Sequence, residues 1–327
     1  MKRRSFLGGV LTIPTLAKAA SPSGEPRLSK FNPTRPVKLI VPYEPGGGMD
    51  ILARVIEAAL SQLWAPASLM MEYRPGAGTI IGTQYVAKSK PDGYTLGMIA
   101  SPYVINPAIQ TLPYDPEKDF SPLMKLGTSD VLLSCAPNMP FADLESALSA
   151  VKKNPGKYNC ATPGVGSVMH FALEVLKQRA GLDMVHVPFN NAGKFFTEVF
   201  AGRIEFSIGT AFSALPHVRA GRLIPLATTG RGRNAFFQQT PTLAEFFPGL
   251  YAESMFGVVA PAGIDPDIAE RIYQDISAVM KLPSTVDAIQ SKGIHTTLMG
   301  PSDFAAFLSA EIKRWRGVAK QAGFGVS

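Results

Sequence analysis

The feature that most constrains this chain is a strand, a glycine turn and a helix in the stretch from Val37 to Leu63. The apolar, β-branched run VKLIV predicts a short strand that ends at Pro42. Glycines at positions 46–48 then leave backbone N–H groups uncovered by side chains. Apolar residues at helical spacing predict a helix, with one face formed by Ile51, Leu52, Val55, Ile56, Ala59, Leu60 and Leu63. Because the first N–H groups of a helix lack partners and its dipole favours negative charge, we expect this turn to hold a small carboxylate without changing it chemically.

Two nucleotide-binding motifs use similar glycines, and neither fits this turn. A P-loop requires Lys and then Ser or Thr after its glycines, whereas Met49 and Asp50 follow Gly48 here. The dinucleotide fingerprint G-x-G-x-x-G requires a third glycine where this chain has Ile51. For one isolated turn, a tight connection that binds no ligand stays open as an alternative.

The strand–turn–helix pattern returns along the chain. A second unit has the turn RPGAG, and a third has the turn GVGS, in which Ser167 stands where a helix N-cap belongs and could cap the helix or face a ligand. The extended segment LMKLGTSDVLLSCAP predicts a crossover into another domain, and ESMFGVVAP could carry the chain back. This alternation predicts an α/β fold of parallel sheets with helices on both faces, in which ligands bind beyond the carboxyl ends of the strands. Two facing lobes would enclose a small molecule.

Other segments complete this interpretation. The run NPAIQTLPYDPEKDFSPL reads as a surface stretch punctuated by prolines. Two long amphipathic helices are predicted near the end, in PDIAERIYQDISAVMKL and PSDFAAFLSAEIKRWRGVAKQAG.

The N-terminus has the pattern of an export signal. Residues 1–19 combine a basic start, a short apolar core and a small-x-small site, which predicts a signal peptide cleaved after Ala19 and a periplasmic mature protein. The run RRSFL also resembles a twin-arginine signal, and the general secretory route stays open. Residues 20–34 are expected to form a flexible leader. Four of the seven net positive charges belong to the signal, and the scattered remainder gives no support to nucleic-acid binding.

The two cysteines, Cys135 and Cys160, lie near the ends of predicted strands. Adjacent parallel strands could bring them within bonding distance in an oxidising periplasm, but we prefer free buried thiols.

The sequence contains no recognisable arrangement of catalytic or metal-binding residues, so we expect no enzyme activity, cofactor or metal. None of the four histidines has metal-ligand spacing with another His or with a Cys, and there is no G-x-S-x-G motif. Asp50 is expected to cap its helix rather than to act as a base. His170 and His186 are interpreted as hydrogen-bonded, partly buried side chains. Lys194 opens a predicted helix at the cleft and could pair with a ligand carboxylate or be a solvated surface residue.

Nearly the whole mature chain, from about residue 35 to the C-terminus, resembles the periplasmic solute-binding proteins of tripartite tricarboxylate transporters, the Bug-type receptors. The segments that carry the resemblance are RPVKLIVPYEPGGGMD, YRPGAGTIIG, KPDGYTLGM, YDPEKDFSPL, NPGKYNCATPGVGSVMHFALE, MVHVPF, AGRIEF, GRLIPLATT, TPTLAEF and FGVVAPAGIDPDI. The resemblance implies a two-lobed, type II-like "Venus-flytrap" fold with a discontinuous first lobe, which we place at residues 35–128 and 250–327, around a second lobe at 129–249. It also implies capture of a small carboxylate, amino acid or aromatic acid for integral membrane transporter subunits.

The resemblance further implies which residues contact the ligand. Those of the first lobe are Tyr43, Gly47, Gly48, Met49, Asp50, Thr79 and Ser101, and those of the second are Thr162, Gly166, Ser167, Asn190 and Thr210. Lys194 is added from its position.

This chain departs from the family at two places in the pocket wall. Met49 stands where the family commonly has Thr, and Phe189-Asn190-Asn191 replaces a tyrosine-lysine-glycine run. The carboxylate itself therefore stays undetermined. We expect a monomer, and two other functions stay open: a secreted enzyme that uses Ser167 or Asp50, and a ligand-sensing subunit of a signalling system.

Overall fold

The computed structural model describes residues 31–45, 48–141, 143–189, 192–321 and 323, so the signal peptide and most of the leader lie outside it. Its strands are β1 (Val37–Val41), β2 (Leu69–Tyr73), β3 (Thr95–Ala100), β4 (Phe120–Cys135), β5 (Asn159–Thr162), β6 (Val185–Pro188), β7 (Phe206–Thr210), β8 (Ile224–Thr228), β9 (Glu253–Pro261) and β10 (His295–Met299). Its α-helices are α1 (Gly48–Leu63), α2 (Ile80–Ala87), α3 (Pro102–Ile109), α4 (Leu144–Lys153), α5 (Val168–Ala180), α6 (Ala192–Phe200), α7 (Ala211–Arg219), α8 (Leu243–Phe246), α9 (Pro266–Met280), α10 (Pro283–Gln290) and α11 (Pro301–Gln321).

The long strand β4 runs through both lobes and changes partners on the way. Its first part pairs with β9 as far as Asp130, which lies opposite Glu253, and also with β10. From Val131, which lies opposite Thr210, it pairs with β7 and β8. The extended segment that the sequence predicts to cross between domains is therefore a continuous strand, and β9 is the predicted return.

Strand direction places the carboxyl edges of the two lobes face to face. In the first lobe β1 is parallel to β2 and β3, and β3 is antiparallel to β9, which is antiparallel to β4; β3 therefore points along β4. In the second lobe β5, β6 and β7 are mutually parallel and run antiparallel to β4. Since β4 leads from the first lobe into the second, the carboxyl ends of both parallel sets point towards the junction, which is where α/β sheets bind ligands.

The helices cover the sheets on both faces, as the sequence predicts. One apolar cluster lies between the first-lobe sheet and α1, α9 and α10. Another lies under α3 and α11 and continues into α5, where the rings of Phe171 and Trp315 meet edge to face at 5.1 Å. A third lies under α6 and α7. The C-terminal helix α11 therefore packs on both lobes.

Two local expectations are wrong. The proline-punctuated stretch begins inside α3, whose Tyr103, Ile105 and Asn106 are buried, because the sheet and α11 cover this helix in spite of its prolines. On α1, Leu52, Ile56 and Leu60 are buried as expected, whereas Leu63, the last residue of the helix, is 49% exposed.

The two cysteines are free and buried, which confirms the preference for unpaired thiols. They do not lie on adjacent strands, because β7 lies between β4 and β5. Cys135 and Cys160 both lie opposite Phe206 of β7, so two strand spacings, about 10 Å, separate their backbones and exceed the span of a disulfide. Burial also raises the pKa of the Cys135 thiol to about 12.

Candidate functional site

The first glycine turn joins β1 to the start of α1. Gly47 lies outside the described residues, and Gly48 is the first residue of α1. Tyr43, which precedes the turn, is half-buried against the apolar cluster of α1, and burial raises the pKa of its phenol. The side chain of Met49 is buried in the same cluster. The start of α1 is therefore fixed to the core on the side away from solvent.

Asp50 supports this turn from inside the lobe. It is buried, and one of its oxygens accepts a hydrogen bond of 2.5 Å from the Tyr73 hydroxyl at the end of β2. The guanidinium of Arg54 lies one helical turn further and donates to it at 3.2 Å. Burial, followed by the hydrogen bond to Asp50, raises the pKa of Tyr73. Asp50 thus connects the helix to the neighbouring strand, which agrees better with a structural role than with that of a free base.

The second glycine turn has an unusual backbone. Four consecutive residues, from Gly76 to Thr79, have positive φ angles of 123°, 47°, 60° and 80°. Thr79 is buried, and the helix α2 that follows it has no side-chain cap at its N-terminus. The turn is supported by Asn106 of α3, whose amide donates a hydrogen bond of 2.9 Å to the carbonyl of Gly78. Such runs of strained backbone occur mainly at functional sites.

Sequence reasoning missed Asn106 because it lies in a stretch interpreted as a surface loop, 28 residues from its partner. No local pattern links the two segments.

Ser101 lies just beyond β3, as expected, but its hydroxyl contacts β9. It accepts a hydrogen bond of 3.0 Å from the backbone N–H of Met255 and lies 3.4 Å from the carbonyl of Glu253. The side chain is buried. It therefore connects the end of β3 to β9.

In the second lobe, the expected residues of the third turn lie together at the end of β5 and the start of α5. Ser167 is the N-cap of α5: its hydroxyl accepts from the backbone N–H of His170 at 3.1 Å and donates to the carbonyl of Gly164 at 2.7 Å. Gly166 has a φ of 79°, and a Cβ atom there would lie 2.6 Å from Cδ1 of Ile109. The third turn therefore lies against the end of α3 from the first lobe.

A stacked pair of histidines lies behind this turn. The rings of His170 on α5 and His186 on β6 are nearly parallel, with their centroids 4.1 Å apart. Nδ1 of His170 accepts from the N–H of Gly166 at 3.3 Å, and Nε2 of His186 lies 2.7 Å from the hydroxyl of the buried Thr162. Burial lowers the pKa of each ring to about 4. The pair is therefore neutral at pH 7 and holds the strand end and the turn together without adding charge.

Of the remaining expected residues, two are described by the structure, one at a strand end and one in a helix of this lobe. Thr210 ends β7 and caps α7, where its hydroxyl accepts from the N–H of Ser213 at 3.2 Å. Lys194 lies in the first turn of α6 and is exposed. Asn190 lies outside the described residues.

The described expected residues thus form two groups, one at each facing edge. Within the ranges given above there is no group of three or more His, Cys, Asp or Glu side chains that could hold a metal ion. Across those same ranges, we find no helix with the length and apolar character needed to cross a membrane.

Comparison with known proteins gives consistent results. Residues 52–324 match the model of the tripartite tricarboxylate transporter family receptor. The chain is 31% identical over 296 residues to protein BugT of Bordetella pertussis, covering 89% of this chain and 90% of BugT. It resembles the solved structure of R. palustris Rpa4515 with adipate, with a TM-score of 0.82, 30% identity, and coverage of 90% and 99% of the two chains. It also resembles MatC from Rhodopseudomonas palustris with bound malate, with a TM-score of 0.75, 26% identity, and coverage of 88% and 99%.

Proposed function

This chain belongs to the tripartite tricarboxylate transporter receptor family, and we propose that it captures a small dicarboxylate between its two lobes and delivers it to integral membrane transporter subunits. The observation that carries the proposal is the arrangement of the strands. The carboxyl ends of both parallel sets face one junction, and the helices α1, α2, α5 and α7 begin there. Helix N-termini and glycine turns supply N–H donors and favourable dipoles for an anion.

The choice of a dicarboxylate is supported by two related structures. Rpa4515 is described with adipate and MatC with malate, and both of these acids carry two carboxylates. Two facing sets of N–H donors, one in each lobe, suit a ligand with a negative group at each end. Closure of the lobes about β4 and β9 would then trap the ligand and present a different surface to a membrane partner.

We propose that the mature protein acts in the periplasm, as a monomer, after cleavage behind Ala19. The resemblance to periplasmic binding proteins supports this location. N-terminal sequencing of the protein from a periplasmic fraction should begin at Ala20, and retention of residues 1–19 in that fraction would contradict the proposal.

Binding can be tested by titrating the mature protein with adipate, malate and other small acids, followed by thermal unfolding and calorimetry. A ligand of the folded state raises the melting temperature by mass action. The Gly47→Val variant should reduce the affinity for the best acid by at least about tenfold, because a side chain would cover the N–H donors of the first turn. Gly232→Val is the matched control, because Gly232 has a negative or extended φ and no atom within 4 Å of an added Cβ.

The alternatives give different results in the same assays. An enzyme that uses Ser167 or Asp50 would convert an acid without forming a stable complex, although Ser167 caps α5 and Asp50 binds Tyr73 and Arg54. A sensing subunit would capture a signalling receptor instead of transporter subunits in a pull-down. The proposal fails if no acid stabilises the protein or if Gly47→Val binds as tightly as the original chain.

A further inference from the structure

A pocket lies beside the hinge, away from the glycine turns. It has a volume of about 150 Å³ and lies between α11 and the hinge strands β4 and β9. Of the residues expected to contact the cleft ligand, Ser101 is the one that lines it, and the Ser101 hydroxyl is already bonded to β9. We refer to this space as the hinge pocket.

The walls of the hinge pocket are unusually rich in charge. Arg314 of α11 pairs with Glu311 at 2.9 Å, and its guanidinium stacks on the ring of Tyr251, 3.9 Å from the centroid. The guanidinium of Arg231 stacks on the same ring at 3.8 Å, and the backbone N–H of Arg231 donates to the carboxylate of Glu253 at 3.2 Å. These contacts fix four of the charged groups in place.

The fifth charged group, Lys125 of β4, is buried without an ionic partner. The residue is only 4% exposed, and its ammonium lies over the ring of Phe307, 4.5 Å from the centroid. Among the described residues, no carboxylate lies within 4.0 Å of this ammonium and no hydrogen bond reaches it. Desolvation lowers the pKa of Lys125, and the nearby carboxylates of Glu253 and Glu311 offset part of this effect. An ammonium that is largely removed from bulk water is stabilised when an anion pairs with it.

The charge balance and size of the pocket indicate what could pair with it. Lys125, Arg231 and Arg314 face Glu253 and Glu311, which leaves one positive charge uncompensated. The volume is several times the roughly 30 Å³ of one water molecule, so a small organic acid fits. Thr128, buried on the same strand as Lys125, also lines the pocket, and its hydroxyl has no hydrogen bond to the rest of the described structure.

We propose that the hinge pocket is a second ligand site, for a small monovalent anion of the carboxylate class, held by the Lys125 ammonium and the Thr128 hydroxyl. The anion neutralises the charge of the Lys125 ammonium and accepts hydrogen bonds from this ammonium and from the Thr128 hydroxyl. The proposal is independent of the function assigned to the cleft.

Acetate is the solution probe. The mature protein is titrated with sodium acetate in HEPES at constant ionic strength, and binding is followed by calorimetry and by the melting temperature. Saturable binding at one site is expected. Lys125→Met, which keeps the length of the side chain and removes its charge, should weaken it by about tenfold or more. Lys118→Met is the matched control, because the side chain of Lys118 is 82% exposed and pairs with Asp115, and neither residue lines the pocket.

A second variant tests the charge balance without removing the anchor. Glu253→Gln keeps an oxygen for the Arg231 N–H and removes one negative charge, so acetate should bind about two- to fivefold more tightly. Crystals soaked in sodium bromide should show an anomalous peak beside Nζ of Lys125, which would be absent in Lys125→Met crystals. A bromide peak without acetate binding would mean that the site takes halides and not carboxylates, which overturns the assigned class.

Equal acetate binding by the original chain and Lys125→Met would place the anion elsewhere and overturn the hinge site, as would weaker binding by Glu253→Gln. These outcomes differ from failure of the cleft proposal, because Lys125→Met should keep its affinity for a dicarboxylate bound between the lobes.

Discussion

The two lobes present their glycine turns to the cleft in different ways. In the first lobe, the turn before α2 has positive φ at every position from Gly76 to Thr79, and no side chain caps the helix. In the second lobe, the turn before α5 has positive φ at Gly164 and Gly166, and Ser167 caps the helix. One turn stores strain and leaves its helix N–H groups uncapped, whereas in the other the Ser167 hydroxyl accepts from one of them, the N–H of His170.

The supports behind the turns differ as well. The Asn106 amide holds the strained turn from a neighbouring helix, and a charged group, Asp50, holds the start of α1. In the second lobe, the uncharged stack of His170 and His186 serves this purpose. The comparison predicts that the first lobe keeps more backbone donors available for a ligand at a cost in stability, whereas in the second lobe the Ser167 cap takes up one of these donors.

The strongest test of this comparison replaces one glycine in each turn with alanine. Gly76 has φ 123° and ψ 156°, a region that only glycine occupies readily, whereas Gly166 has φ 79°. An added Cβ would meet the mobile end of an isoleucine at 2.6 Å in both cases, so the steric terms are matched. Gly76→Ala should therefore lower the free energy of unfolding by about 3 kcal/mol, and Gly166→Ala by about 1 kcal/mol. Denaturant unfolding measures both, with Gly232→Ala as the neutral control, and equal losses would remove the distinction between the turns.

Acid titration tests the histidine stack. The pKa of His186 falls from 6.5 to about 4, mainly through burial, so the unfolded chain binds more protons between these values. His186 therefore causes no loss in the free energy of unfolding above pH 6.5, and the free energy of unfolding decreases as the pH falls from 6.5 towards 4. His186→Gln, which can still bond Thr162, should remove about 2 kcal/mol of this acid-induced loss.

The pH dependence of stability expected from His295 has the opposite sign. The carboxylate of Asp130, 3.7 Å from Nε2 of His295, raises the pKa of His295, so the contribution of this pair is present at acid pH and is lost as the pH rises through the folded value. His295→Gln should therefore reduce stability at low pH. If both variants shift the unfolding profile in the same direction, the assignment for the stack is wrong.

The role of Asn106 can be separated from its contribution to stability. Asn106→Ala removes a hydrogen bond of 2.9 Å to the Gly78 carbonyl, and Asn154→Ala removes one of the same length to the Ala150 carbonyl in the second lobe. Each should cost about 1 kcal/mol of unfolding free energy. Only Asn106→Ala should weaken dicarboxylate binding, by about fivefold, because only that bond positions a turn of the cleft. Equal affinities of the two variants would show that the strained turn does not take part in binding.

Lys194 should give the smallest effect. If its exposed ammonium pairs with a ligand carboxylate, Lys194→Ala lowers affinity by no more than about fivefold and reduces the dependence of affinity on salt. The exposed Lys152 of α4 provides the control. Unchanged affinity and salt dependence would assign Lys194 to the surface.

The sequence by itself determined the local elements and the type of fold. Apolar periodicity predicted β1 and α1, glycines marked the turns, and the position of Ser167 predicted a helix cap that the structure contains. These features depend on neighbours within a few residues, so they can be read from one stretch of chain. The resemblance carried by many such stretches then indicated the family.

The tertiary structure alone decided which distant residues meet. It placed β7 between the two cysteine strands, stacked His170 on His186, brought Asn106 to Gly78, and buried Lys125 against α11 without an ionic partner. These contacts follow from the order of strands in the sheet and from the packing of helices across it. Local propensity is the same for many such arrangements, and only the burial of the whole core selects one of them.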